Sequence, residues 1–124
     1  MRTIICILGI ILYTLTLSAQ NVNIPDTAFL NALIEMGIDT NEDDSISYTE
    51  ASAIFKLELI ENGITDMKGI EAFINLERLS CGSNQLTSLD LSNNTALTRL
   101  NCWNNQLTSL DLSNNTELIF FLVR

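Results

Sequence analysis

LERLSCGSNQLTSLDLSNNTA (76–96) runs without a gap into LTRLNCWNNQLTSLDLSNNTE (97–117), and the two stretches agree at 16 of 21 positions. The same register restarts at Leu118 with LIFFLVR. A looser copy precedes them. In IFKLELIENGITDMKGIEAFIN (54–75), Ile54, Leu57, Leu59, Asn62, Ile64, Met67 and Ile70 stand where Leu76, Leu79, Cys81, Asn84, Leu86, Leu89 and Leu91 or its neighbours stand later, with one extra residue. A unit this short buries its apolar face only against its neighbours, so tandem copies must stack. The alternation in Leu79-Ser80-Cys81 and Leu100-Asn101-Cys102 predicts a short strand with its apolar residues inward. Asn62, Asn84 and Asn105 recur at the turn that follows, where a side-chain amide can satisfy backbone groups left unpaired. The return segment LTSLDLSNNT holds too much Ser, Asn and Thr for a good helix, which predicts turns and extended chain on the far side.

The spacing L-x-x-L-x-L/C-x-x-N-x-L resembles the leucine-rich repeat, whose period of about 20 to 29 residues brackets the one here. The resemblance implies an α/β solenoid: a short right-handed superhelix of parallel strands with an irregular convex side. Its repeats are 54–75, 76–96, 97–117 and a partial 118–124, and in this family the turn asparagine stacks as a ladder. Cys81 and Cys102 fall at one equivalent inward position, 21 residues apart. In-register parallel neighbours lack the usual Cβ approach and dihedral of a disulfide, so buried free thiols are expected.

Ahead of the repeats, residues 20–53 read as a small helix-loop-helix cap. Phe29, Leu33 and Met36 share one helical face, Pro25 suits the first turn and Gly37 the end, predicting a helix over Pro25–Met36. A second helix begins near Tyr48, with Ser47 and Glu50 at capping-box spacing. Between them, DTNEDDSISYTE (39–50) follows the EF-hand loop pattern: Asp39, Asn41, Asp43, Ser45, Ser47 and Glu50 occupy positions one, three, five, seven, nine and twelve. Alternating hard oxygen donors, closed by a carboxylate from the next helix, suit Ca2+ with its about six to eight oxygen ligands. Position six, usually glycine because the chain turns there with positive φ, is Asp44, a residue that tolerates the left-handed region better than most. Glu50 has two readings, ion ligand or partner of Ser47 in the cap. A solvated acidic turn without an ion is the alternative for the whole loop. Calcium here would be structural.

The N-terminus reads as an export signal. Met1-Arg2 precedes the apolar run Thr3 to Leu17 and the small residues Ser18-Ala19, so residues 1–19 form a signal peptide with cleavage after Ala19 or after Gln20. The run is shorter than the about 20 apolar residues of a membrane span, although an uncleaved anchor is the alternative. No stable span remains once it is removed. Cys6 lies inside the run, which does not suit lipid attachment. The signal accounts for part of the 47% hydrophobic content, and its loss with Arg2 leaves five bases against fifteen acids. Such acidity argues against nucleic acid, which is held mainly by Lys and Arg. The chain has no His. That removes the commonest general base and transition-metal ligand, and with them zinc hydrolases and His-based triads.

N-I-P-D-x-x-F, D-T-N-x-D-x-x-I-S-x-x-E-A, G-I-E-A-F-x-N-L and the repeated C-x-x-N-Q-L-T-S-L-D-L-S-N-N-T together resemble secreted bacterial leucine-rich-repeat proteins, from about Val22 onward. The resemblance implies a secreted or cell-surface binding module for protein, sometimes glycan, with a role in adhesion. The candidate ligand-binding residues are those between the inward positions on the concave face: Glu58 and Ile60, Ser80, Gly82 and Ser83, Asn101, Trp103 and Asn104. Trp103, the only Trp, replaces Gly82 at the equivalent position and suits a protein hot spot or a sugar face, or else simply covers the neighbouring strand. Asp90 and Asp111 recur with the repeat, which points to scaffold and not to a catalytic pair; no enzyme is expected. The apolar Ile119–Val123 would leave an exposed edge, so 118–124 is read as part of a longer array or a decayed copy, with edge-strand self-association or a fold-back of the last residues as the alternatives.

Overall fold

The computed structural model describes residues 20–123. The signal-peptide reading of 1–19 lies outside them. The described chain runs α1 (Thr27–Glu35), α2 (Tyr48–Ser52), β1 (Lys56–Glu58), a 3-10 turn (Ile70–Ala72), β2 (Arg78–Ser80), β3 (Arg99–Asn101) and β4 (Phe120–Leu122). The four strands form one sheet in the order β1-β2-β3-β4, every pair parallel. Leu57, Leu79, Leu100 and Phe121 are register partners. The extra residue of the first copy is therefore absorbed between β1 and β2, and the later crossovers keep the 21-residue period. No helix among the described residues is long and apolar enough to cross a membrane.

The strands begin one residue earlier than the alternation predicted, at Arg78 and Arg99. Pairing nevertheless continues through the cysteines, because the Cys81 N–H donates to Asn101 O at 2.8 Å and the Cys102 N–H to Leu122 O at 2.9 Å. Leu57, Leu59, Ile64, Leu76, Leu79, Cys81, Leu86, Leu91, Leu97, Leu100 and Cys102 are all buried in one continuous core. Burial fades along the array: Leu86 and Leu91 are fully covered, Leu107 and Leu112 only partly, and Phe121 is 60% exposed. Each repeat is covered by its neighbours, and β4 has one on one side only. Cys81 and Cys102 are free thiols. Burial raises both, that of Cys81 to about 12 with the nearby Cys102 adding to it, that of Cys102 to about 11.

Two of the three turn asparagines, Asn84 and Asn105, join successive repeats, whereas the Asn62 amide reaches only Leu59 O and Ile60 O of its own repeat, at 3.3 Å each. The Asn84 Nδ2 donates to Leu59 O (2.6 Å), Cys81 O (2.9 Å) and Gly82 O (3.2 Å), while its Oδ1 accepts from the Asn62 and Ile64 N–H groups at 3.1 Å each. Asn105 repeats the arrangement with Cys81 O, Cys102 O, Trp103 O and the Leu86 N–H. The residue before each ladder asparagine, Glu61, Ser83 and Asn104, is left-handed with φ between 54° and 57°. A second series, not anticipated, lies on the convex side. Asn94 donates to Ile70 O and Phe73 O, and Asn115 to Leu91 O and Asn94 O, all at 2.9–3.1 Å. Apart from the 3-10 turn, that side is built of turns and irregular chain.

α1 starts at Thr27 and not at Pro25, because Asp26 is its N-cap: the carboxylate accepts the Phe29 N–H at 3.0 Å. The helix ends at Glu35 with Met36 as C-cap, and Gly37 follows at φ 79°. Phe29, Ala32 and Leu33 face the core. The other Asp26 oxygen accepts from the Thr65 N–H, the Thr65 hydroxyl and the Asp66 N–H at 2.8–2.9 Å, tying the cap to the first repeat. α2 begins at Tyr48 with the reciprocal Ser47–Glu50 capping box in place. Asn21 bridges Ser47 in antiparallel fashion, and the Val22 N–H donates to Ile46 O at 2.7 Å, so the start of the described chain holds the loop between the helices.

Candidate functional site

A three-residue strand with a buried central leucine presents its first and third residues on the opposite, concave face. Two rows result, each running across the strands: Lys56, Arg78, Arg99, Phe120 and Glu58, Ser80, Asn101, Leu122. Between them lies a shallow groove of about 260 Å³ with Leu79 and Leu100 in its lining. Glu58, Ser80 and Asn101 of the expected set stand in the second row. The first row was missed, although the signal was available: if Leu57, Leu79 and Leu100 point inward, the residues on both sides of each must point out.

Beyond the strand ends lie Ile60, Gly82 and Trp103. Ile60 is exposed, whereas Gly82 is buried and offers no side chain to a ligand. The reason is Trp103. A Cβ at Gly82 would come within 2.7 Å of the Trp103 Nε1 and 2.8 Å of its Cδ1, so the indole lies over the glycine. The pair is therefore a packed unit in which the bare backbone of one repeat makes room for the ring of the next. Trp103 remains 42% exposed, so its outer side is free for contact. Asn104 reaches back across the repeats, its Nδ2 donating to the Ser83 hydroxyl at 3.1 Å.

The two 21-residue copies differ at only five positions, and three of them, Ser80/Asn101, Gly82/Trp103 and Ser83/Asn104, lie on or just after the concave strand. Variation on an otherwise repeated scaffold is concentrated on this face.

In the loop 39–50, Asp44 has φ 62°, the turn conformation that position six requires, and Glu42 has φ 59°. Asp39 accepts the Asp43 and Asp44 N–H groups at 3.2 and 2.9 Å, and Asp43 accepts both the Ser45 N–H and its hydroxyl. Glu50 accepts the Thr40 N–H and hydroxyl on Oε1, and the Ser47 N–H and hydroxyl on Oε2, at 2.7–2.9 Å. Burial acts to raise the Glu50 carboxyl, but these four donors outweigh it and hold the group at about 2. The hydrogen bond from the Ser45 hydroxyl, with that of its N–H, lowers Asp43 despite the nearby negative charge of Glu50. Among the described residues no three acidic side chains converge on one point that a metal could take.

Asp90 and Asp111 act in turns: Asp90 accepts the Ser92 N–H and hydroxyl at 3.0 and 2.6 Å, and Asp111 accepts the Ser113 N–H at 2.9 Å. The Ser92 and Ser113 hydroxyls lower their respective carboxyls.

Comparison with known proteins places this geometry. No family model matches the chain. Internalin J of Listeria monocytogenes is 36% identical over 71 residues, which is 57% of this chain and 8% of that protein. The functional domain of internalin J, which includes a cysteine ladder, superposes with a TM-score of 0.72 at 31% identity, covering 86% of this chain and 26% of that one. An internalin (inlF) of the same species gives 0.74 at 27% identity, covering 85% and 33%. The chain thus spans only a small part of the relatives it matches. With the parallel sheet and the asparagine ladder, these likenesses show a leucine-rich-repeat protein.

Proposed function

We propose that this chain is a secreted or cell-surface binding module, a right-handed leucine-rich-repeat solenoid that holds a protein ligand on its concave face. One observation carries the reading: the internal variation of the repeats falls on Ser80/Asn101, Gly82/Trp103 and Ser83/Asn104, while their packing positions are constant. Selection for stacking alone has no reason to vary that face and fix the other. A binding role, not catalysis, also fits Asp90 and Asp111, whose carboxylates are engaged in turns. Glu58, Ile60, Asn101, Trp103 and Asn104 are the contact residues, with Ser80 beside them and Gly82 acting only by seating the indole. The test is capture of surface proteins by the immobilised chain. A partner retained by wild type and by Asp90→Asn but lost by Trp103→Ala supports the reading, and equal retention by both variants removes it.

We propose further that the loop 39–50 takes up a structural Ca2+ through Asp39, Asn41, Asp43, Ser45, Ser47 and Glu50. Support comes from the left-handed Asp44 at the turn, the conformation that position six of such a loop requires. Glu50 would then exchange hydrogen bonds from Thr40 or Ser47 for the ion. Binding to the native state alone raises the melting temperature by mass action. An unchanged melting temperature with millimolar calcium and with chelator removes the claim. A second copy is the other partner suggested by the sequence, through the edge at 118–124, of which Ile119–Val123 are exposed, and light scattering that finds only monomer removes that.

A further inference from the structure

The chain has fifteen acidic residues and six basic ones. Among the described residues the bases are Lys56, Lys68, Arg78 and Arg99, and three of these four stand in one row on the concave face. Arg78 and Arg99 are direct register partners on parallel strands. Neighbouring strands lie about 4.8 Å apart, and like charges set side by side across a ladder repel. Neither arginine forms an ion pair with a carboxylate of the described residues. Glu58, the one carboxylate lining the groove, is engaged by Lys56 at 2.6 Å, the only ion pair among the described residues. Both arginines are exposed, so their recurrence in the two copies does nothing for the core. Two cations held side by side on an acidic protein, without a carboxylate from the fold, are placed to meet negative charge from outside.

We propose that the Arg78–Arg99 pair receives the carboxylates of an acidic, extended protein segment lying across the strands, a refinement that rests on the concave-face reading above. The guanidinium fork takes a carboxylate through two parallel N–H donors, with a directionality that a lysine lacks. Ser80 and Asn101 lie beside the pair with neutral hydrogen-bonding groups, and Phe120 closes the row with an apolar surface. Carboxylates next to apolar side chains are the complement of that lining, which favours a peptide over an anionic glycan.

The probe is a short fluorescein-labelled peptide of alternating Glu and Leu, followed by anisotropy on the full chain. Wild type binds it, more weakly as salt is raised. Arg78→Ser with Arg99→Ser weakens binding by about tenfold or more, whereas Lys68→Ser, away from the sheet, leaves it unchanged. The charge-reversed Arg78→Glu/Arg99→Glu chain, which must be folded to respond, binds the Lys–Leu counterpart instead. Equal binding by the double serine variant, equal binding of a Gln–Leu peptide, or tighter binding of labelled oligogalacturonate overturns the proposal. Absence of acidic-peptide binding while Trp103-dependent capture persists overturns the charge assignment alone; loss of both removes the concave-face reading as well.

Discussion

Replacing Asn84 by Ala is the sharpest perturbation of the scaffold. Its side chain makes five hydrogen bonds with backbone groups of two successive repeats. Two of the three carbonyls keep another donor, Cys81 O from Asn105 and Gly82 O from the Glu61 N–H. The groups that lose most are the buried Ile64 N–H, the N–H of the exposed Asn62, and Leu59 O, which keeps only the long bond from the Asn62 amide at 3.3 Å. An unpaired buried group costs about 1–3 kcal/mol, and a partly wet one less, so the sum comes to about 3 kcal/mol. That is a large share of the about 5–15 kcal/mol that holds a domain together. Urea unfolding followed by circular dichroism and by the single Trp reads it directly. Asn84→Asp sharpens the test, because it keeps the acceptor but turns a carboxylate oxygen toward three carbonyls. At neutral pH it is expected to be no more stable than the Ala variant, recovering in part when the acid is protonated. A loss below about 0.5 kcal/mol for Asn84→Ala, the range of an ordinary surface substitution, would refute the ladder as a stabilising device.

Three further outcomes follow from the same structure. Gly82→Ala should displace the indole above it, shifting Trp103 fluorescence to the red and lowering the melting temperature, and an unchanged spectrum contradicts the stacking. Glu50, held at about 2 against its ordinary 4.5, stabilises the native state fully above about 4.5 and loses that contribution as pH falls toward 2. Asp26 works in the same direction: burial acts against its ionised form, but the N–H groups of Phe29, Thr65 and Asp66 with the Thr65 hydroxyl prevail and lower it. Wild type should therefore destabilise over that acid range more steeply than a chain carrying Glu50→Gln and Asp26→Asn, and parallel pH curves would contradict both assignments. Cys81 and Cys102 should resist a thiol reagent at pH 8 in the native state and react at once in denaturant, with or without prior reduction; rapid native labelling contradicts their burial.

The parallel array was legible because its period is written twice almost without change, and inward Leu79 and Leu100 follow from spacing alone. The capping box at Ser47 and Glu50 was legible for the same reason, being a local pattern with local consequences. Pro25 misled the helix start because Asp26 is also tied to Thr65 and Asp66, a long-range contact without a sequence signature. In LSNNT the pattern does not say which asparagine turns inward, so the convex series of Asn94 and Asn115 was hidden. Gly82 looked like a concave-face position and proved to be a seat for Trp103, since pairing between repeats depends on which side chain lies over which backbone. The left-handed residues Glu61, Ser83 and Asn104 share no residue type that marks them. The row of Lys56, Arg78 and Arg99 could have been read from the alternation, had the residue before each inward leucine been counted with the one after it.

Photo-crosslinking tests the central claim most directly. A benzophenone side chain placed in turn at Ser80 and Asn101 on the concave face, and at Ser88 and Ser109 on the convex one, is exposed to the same preparation of surface proteins. The account expects one discrete crosslinked protein from the two concave positions and none from the convex pair. Crosslinking to that protein from Ser88 and Ser109 alone, or equally from all four, would contradict it.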